Sequence, residues 1–451
     1  MIASPPDAGR GSTRLALNAD LLDFTDEPAW GETGSPDALP RGVRFRPNHW
    51  LLVEDGTIVA VTPEPPDSSA APGGDWTLID HRHRLLLPGF IDTHVHMPQI
   101  DVIASYGADL LEWLQTWTWP AEVRYADPAV SMEGAERFVD ALFASGTTAA
   151  VAFPTAHRVS ADALFSIAGA RGMRLITGKV LQDRHSPDGL RDDVDLAERD
   201  CIDLIERWHG NGRLGYAVTV RFAPTSSDAQ LAMAGGLCAA DASLWMQTHI
   251  AESRAEIDWV RELFPAARSY LDVYDRVGLL HAKSLLAHGI WLDDADRHRL
   301  HEAGAQIAHC PSSNLFLGSG LFDWPRTAAA GVAVSLASDV GGGTSLSTLR
   351  TIQDACKVQA LQGNRLTAWT ALHAATRGAA RALGLADEIG SLEPGAIADV
   401  CVWERAVEPV AARRLALAKD LHEELFAWMM LADDRNLVET RVAGVLRHRR
   451  T

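Results

Sequence analysis

The sequence predicts an α/β protein: a parallel (β/α)8 TIM barrel carrying a small β-sandwich domain built from both chain ends. Three observations carry this prediction. Short apolar runs alternate with longer helical patterns over about 300 residues, as parallel βαβ units require. About eight such units occur, the number that closes a barrel. Strand-like, turn-rich sequence flanks this region on both sides, so the two ends can pair outside it.

In chain order, the first ~12 residues read as a loose tail. Strand character follows from Val43 to Val61, with a turn at Asp55-Gly56 between Trp50-Leu51-Leu52-Val53 and Thr57-Ile58-Val59-Ala60-Val61. A turn dipeptide between apolar β-branched runs predicts a hairpin. Pro63 to Asp75 is a loop rich in Pro, Gly and Ser. Barrel strands are expected at about 90–96, 147–153, 174–181, 214–222, 244–250, 284–290, 305–309 and 333–338. Helices are expected between them, for example over Pro128–Ser145 and Ala255–Phe264. Beyond residue 390 the pattern becomes turn-rich, then strand-like at Ala398–Trp403, with a last strand pair around Ala443-Gly444. The expected division is 1–88 and 390–451 for the two parts of the β-sandwich domain and 89–389 for the barrel.

Composition narrows the function classes. Apolar residues make up 47% and charged residues 22%, which is globular and argues against a disordered or fibrous chain. The net charge of −18 disfavours nucleic acid and anionic membranes as partners. Cys201, Cys238, Cys310, Cys356 and Cys401 are widely spaced, with no C-x-x-C, so neither a disulfide framework nor a Cys-rich zinc site is expected. No apolar run is long enough to span a bilayer. The N-terminus lacks the apolar core of a signal peptide, so the expected location is cytoplasmic.

The sharpest local signal is His94-Val95-His96. Alternate strand residues share a face, and at the C-terminal end of a first barrel strand that face is the pocket mouth. Two imidazoles there can share a zinc ion. The competing reading is a pair of solvated strand histidines, and His81-Arg82-His83 just upstream shows how readily H-x-H arises. The setting favours the first reading, because His94 follows an apolar run from Leu85 to Ile91. Further candidates end later strands: His249 with Glu252 three residues on, His288, and Asp339 before Gly341-Gly342-Gly343. Each alone is as readily a core histidine or a turn aspartate. Together they place chemistry at several strand C-termini, as a barrel enzyme requires. A cysteine-based zinc site of the H-x-E with P-C-x-x-C type is excluded by the missing C-x-x-C.

Pro88-Gly89-Phe90-Ile91-Asp92-Thr93-His94-Val95-His96 resembles the metal motif of the amidohydrolase superfamily. Further blocks are similar to the guanine deaminases within it: Met97-Pro98-Gln99, Leu110-Leu111-Glu112-Trp113-Leu114, Pro120-Ala121-Glu122, Arg221-Phe222-Ala223-Pro224-Thr225, Gln247–Ser253, His309–Gly320 and Asp339–Ser345. The chain departs from that pattern at Val220, where proline is expected, and at Ser338, where threonine is usual. The resemblance implies a barrel of the amidohydrolase type and hydrolysis of guanine, a small-molecule purine, to xanthine and ammonia. It implies one Zn2+ per subunit on His94, His96, His249 and Asp339. His288 then contacts the zinc-bound water, Glu252 shuttles protons, and Gln99, Arg221 and Phe222 bind the purine. Asp339 and His288 join Glu252 as catalytic groups, His309 is read as supporting structure, and a homodimer is implied. The rival readings are a deaminase of another amino-heterocycle, such as a pterin or triazine, and a non-catalytic scaffold paralogue. Trp113, Trp117 and Trp119 either wall the pocket or serve as core or subunit contact.

Overall fold

The computed structural model describes residues 13–35, 38–67, 75–107 and 109–450. The expected N-terminal tail and most of the Pro63–Asp75 loop lie outside the described residues. Among the described residues, eight parallel strands follow one another: Phe90–His96, Thr147–Phe153, Arg174–Thr177, Leu214–Val220, Trp245–Ile250, Ser284–His288, Gln306–His309 and Val334–Leu336. Their positions agree with the sequence expectation to within a few residues. Both faces of these strands are buried: every residue of Thr147–Phe153 and Leu214–Val220 lies in the interior. Such strands read as continuous apolar runs, not as alternating ones.

The third strand differs from expectation by breaking at Gly178. A short strand, Val180–Leu181, then continues beside Leu214–Val220. At Gly178 a Cβ would lie 2.0 Å from the Ala217 carbonyl oxygen, so only glycine lets the two backbones approach there. The ring closes between its first and eighth strands. Asp339 N–H donates to His94 O at 2.9 Å, and His96 N–H donates to Val340 O at 2.9 Å. The Thr93 hydroxyl adds a bond to Leu336 O at 3.0 Å. Small apolar residues, among them Ala149, Val151, Ala217, Ala287 and Ala308, form an inner cluster with Ala379 and Ala380 of the helix Arg377–Ala382.

Helices follow the strands. Pro128–Ala144 starts where Asp127 accepts from Ala129 N–H. Arg254–Leu263 starts one residue before its expected position, because Ser253 and Glu256 form a capping box. All five cysteines are buried and free. No helix among the described residues is long and apolar enough to cross a membrane.

The two chain ends meet in one seven-stranded sheet. Its order is Val445–Arg449, Leu437–Val442, Val400–Trp403, Thr77–Pro88, Arg14–Phe24, Val43–Glu54 and Thr57–Thr62. The expected hairpin at Asp55-Gly56 and the last strand pair are both present. The strand Arg14–Phe24 was not expected. It runs near the middle of the sheet with both faces largely covered, and Asn18 and Asp23 are buried in it, so no polar–apolar alternation marks it. Asp23 is satisfied by Arg44 Nε at 2.8 Å and Leu392 N–H at 2.8 Å. The ends join where Val400–Trp403 runs antiparallel to Leu85–Pro88. Arg213 ties this sheet to the barrel: Nη2 donates to Asp399 Oδ2 at 2.5 Å and Nε to Glu388 Oε1 at 3.1 Å.

Candidate active site

His94 and His96 project from one face of the first barrel strand, and the end of the fifth brings His249 beside them. Their Nε2 atoms form a triangle: His94 to His249 3.1 Å, His94 to His96 3.1 Å, His96 to His249 3.2 Å. Asp339 Oδ1 lies 3.2 Å from both His94 Nε2 and His96 Nε2. Such a cluster cannot satisfy itself by hydrogen bonding, because nitrogen lone pairs and a carboxylate oxygen all point at one spot. His249 Nδ1 donates to Arg221 O at 2.6 Å, which leaves Nε2 as the lone-pair atom. Burial lowers the imidazole pKa values, that of His96 to about 3 and that of His249 well below the usual range, so the rings are neutral donors. Burial works to raise the Asp339 carboxyl, but the His94 and His96 imidazoles beside it outweigh that push and hold it well below the carboxylate range.

This donor set fits a metal ion. Bonds of about 2.0–2.1 Å place the corners of a tetrahedron about 3.3–3.4 Å apart, close to the spacings here. His288 completes the group: the ligating atoms of His94, His249, His288 and Asp339 lie within 4.8 Å of one another. Both His288 (φ +72°) and Asp339 (φ +48°) hold left-handed backbone, which turns the chain sharply at the strand ends. Asp92 fixes the base of the site by accepting from His94 N–H at 3.2 Å and Ser338 N–H at 3.1 Å, and burial pushes its carboxyl up to about 6.

Beside this cluster lies Glu252. Burial, and then the charge of Asp339, raise its carboxyl to about 8. Oε2 sits 3.4 Å from His288 Nε2, and Oε1 accepts from the Ser319 hydroxyl at 2.9 Å. His288 is itself oriented by a contact of 2.9 Å between its Nδ1 and Asn314 Oδ1. Glu256, one helical turn on, accepts from Glu252 N–H at 2.9 Å and from the Tyr270 hydroxyl at 2.7 Å.

His96, His249, His288, Asp339, Glu252 and Glu256 line a cavity that also contains Gln99, Arg221 and Phe222, with His94 at the metal-binding cluster beside it. All the site residues expected from the sequence are therefore brought together. Arg221 follows the fourth strand, and its Nη1 donates to Glu122 Oε1 at 2.7 Å and Oε2 at 2.8 Å. Gln99 Oε1 accepts from Gly341 N–H at 3.1 Å. An apolar wall is made by Trp113, Leu114, Phe222 and Leu317. The three tryptophans divide between the two readings. Trp113 lines the cavity, Trp119 packs behind it, and Trp117 is exposed and donates to Tyr106 O at 2.7 Å. His309 is outside the cavity lining and packs on Phe322, with ring centroids 4.7 Å apart.

Sequence reasoning assigned no role to Glu122, Ser319 or Asp92. All three fell inside blocks already singled out, but only their neighbours in space reveal what they touch.

The geometry can be set beside known proteins. The profile of the amidohydrolase family matches residues 85–447. Over 449 residues the chain is 41% identical to the guanine deaminase of Escherichia coli strain K12, covering 97% of this chain and 98% of that one. The solved structure of E. coli guanine deaminase superposes with a TM-score of 0.90 at 38% identity, over 97% of this chain and 100% of that chain. A guanine deaminase from C. acetobutylicum with guanine bound in its active site superposes with a TM-score of 0.84 at 26% identity, over 96% and 100% of the two chains.

Proposed function

The chain belongs to the amidohydrolase family, and we propose that within it this protein hydrolyses guanine to xanthine and ammonia. The full-length likeness to guanine deaminases supports the substrate. The observation that carries the reading is one cavity holding a buried carboxyl, Glu252, at a His3Asp cluster together with a buried guanidinium, Arg221. We assign one zinc ion per subunit to His94, His96, His249 and Asp339, because three imidazoles and a carboxylate at tetrahedral spacing suit it. Zinc bound there supplies Lewis acidity that makes water nucleophilic near neutral pH.

The chain's own residues do the rest. Asp339 and His288 hold the attacking water, and the side chain of Asp339 takes its proton. Glu252 carries a proton at neutral pH because burial disfavours its anion. It gives that proton to the guanine ring nitrogen next to the carbon bearing the amino group. It then takes the first water proton from Asp339 and passes it to the amine, which leaves as ammonia; the second water proton, lost as the hydroxyl becomes a carbonyl, returns to Glu252 and restores the acid. Trp113, Leu114 and Phe222 exclude bulk water, which strengthens these electrostatic contacts.

Recognition falls to Arg221 and Gln99. Arginine carries only donors, so it suits the guanine carbonyl and not the amine that adenine has in its place. In a well-built polar site, an unpaired buried group discriminates by about 10⁴-fold.

The test is ultraviolet-monitored turnover of the zinc-loaded protein on guanine, adenine, cytosine, a pterin and a triazine. Rapid conversion of guanine alone is the expected result. Metal binding without guanine turnover would overturn the substrate assignment. The same reading places the protein in purine catabolism, as a cytoplasmic homodimer; a monomer mass by light scattering would remove the dimer.

A further inference from the structure

The geometry points to Glu122 as the residue that positions Arg221 and Gln99 and keeps the pocket selective for a neutral purine; this rests on the guanine reading above. Glu122 sits on the helix Trp119–Val123, in the segment that follows the first barrel strand. It is completely buried, and Arg221 is 3% exposed. Both carboxylate oxygens face one nitrogen, Arg221 Nη1, at 2.7 and 2.8 Å. A guanidinium is planar and rigid, so fixing Nη1 fixes the direction of its remaining donors.

The same Oε1 atom faces Gln99 Nε2 at 3.4 Å. A carboxylate only accepts, so the Gln99 amide turns its NH2 toward Glu122. Its oxygen then meets Gly341 N–H, at 3.1 Å. One carboxylate thus sets the orientation of two recognition side chains that come from different loops. Glu122 is absent from the cavity lining, whereas Arg221 and Gln99 belong to it. Its action on a ligand therefore runs through them.

Charge provides a second consequence. A buried arginine without a partner would favour anionic ligands, because its field is little screened. Glu122 cancels that charge next to the pocket. Guanine is neutral near pH 7, while xanthine, with a second carbonyl, loses a ring proton more readily. The pair therefore admits the substrate and disfavours the anion of the product.

The test compares wild type, Glu122→Gln and Glu122→Asp, each with its zinc content measured. It reads kcat and KM for guanine, and the inhibition constant for xanthine at pH 6 and pH 8.5. Isothermal calorimetry gives xanthine binding independently of turnover. For E122Q we expect kcat/KM for guanine to fall by about 100-fold or more, as when a buried charge loses its partner. Xanthine is expected to bind about 10-fold more tightly relative to guanine at pH 8.5, as one uncompensated charge near the ligand would produce. E122D keeps the charge but withdraws it by one methylene, so it should raise KM without gaining xanthine affinity. A merely structural role would weaken both ligands together and leave their ratio unchanged. If E122Q does not fold, E122D alone decides: unchanged KM would overturn the proposal. Wild type that turns over guanine, with E122Q within twofold of it, overturns the role of Glu122 alone. Wild type inert toward guanine overturns the functional reading, and this inference with it.

Discussion

Ser319→Ala removes the hydroxyl that donates to Glu252 Oε1 at 2.9 Å. The backbone carbonyl of Ser319, which accepts from Trp291 Nε1 at 3.0 Å, survives the change, so the loop keeps its anchor. A hydrogen bond to an ionised group is worth about 1.5–3 kcal/mol, against about 1 kcal/mol for a neutral one. The difference, about 0.5–2 kcal/mol, is lost from the anionic form of Glu252 only. At 1.36 kcal/mol per pKa unit this is about one unit, upward. The Glu252 carboxyl already lies at about 8 through burial and the Asp339 charge. Its protonated form is the proposed acid of the reaction, so activity should fall as pH rises through its pKa. The alkaline limb of kcat/KM against pH should therefore move up by about one unit in the variant. The assay is guanine turnover from pH 6 to 10, with metal content checked at each end. An alkaline limb that stays in place or moves down would refute Glu252 as the group behind it, or Ser319 as its partner.

Three further outcomes follow from the same structure. Glu252→Gln should keep its metal, since none of the four proposed ligands changes, yet lose about 10²–10⁴-fold in kcat; near-full activity would end the proton-shuttle role. Arg213→Met should leave Asp399, 2% exposed, without its charged partner. That costs about 3–5 kcal/mol, or about 4 °C in Tm for a chain of 451 residues, which calorimetry would read. Glu439 is held at about 2, because hydrogen bonds from His81 and Arg441 outweigh the upward push of burial. A depressed carboxylate stabilises the fold above its unfolded pKa, and that share is lost as pH falls through the folded one. Stability should therefore decline from about pH 4.5 toward pH 2, and Glu439→Gln should flatten this acid limb in chemical denaturation.

Much of the barrel was legible because parallel strands covered on both faces leave continuous apolar runs, and the intervening helices carry their own period. His94, His96, His249, His288 and Asp339 were legible because each ends such a run. The strand Arg14–Phe24 was not, since a strand covered on both sides while burying Asn18 and Asp23 shows no periodicity at all. Glu122 and Ser319 were hidden for another reason. Their partners lie 99 and 67 residues away, and an acidic or hydroxyl residue between barrel strands looks the same in sequence whether it faces solvent or a buried charged partner.

The closure of the ring has a consequence for how the protein is made. Thr93 bonds to Leu336, 243 residues later, and the adjoining backbone bonds join His94 to Asp339. At ~5–20 residues per second, tens of seconds separate the first histidines leaving the ribosome from the carboxylate that joins them. Throughout that interval the nascent chain holds only part of the donor set, on a strand whose neighbour on one side has not yet been synthesised. A metal held by the proposed ligands would therefore bind with its full donor set only after the eighth strand docks, and would then clasp the first and last staves of the barrel.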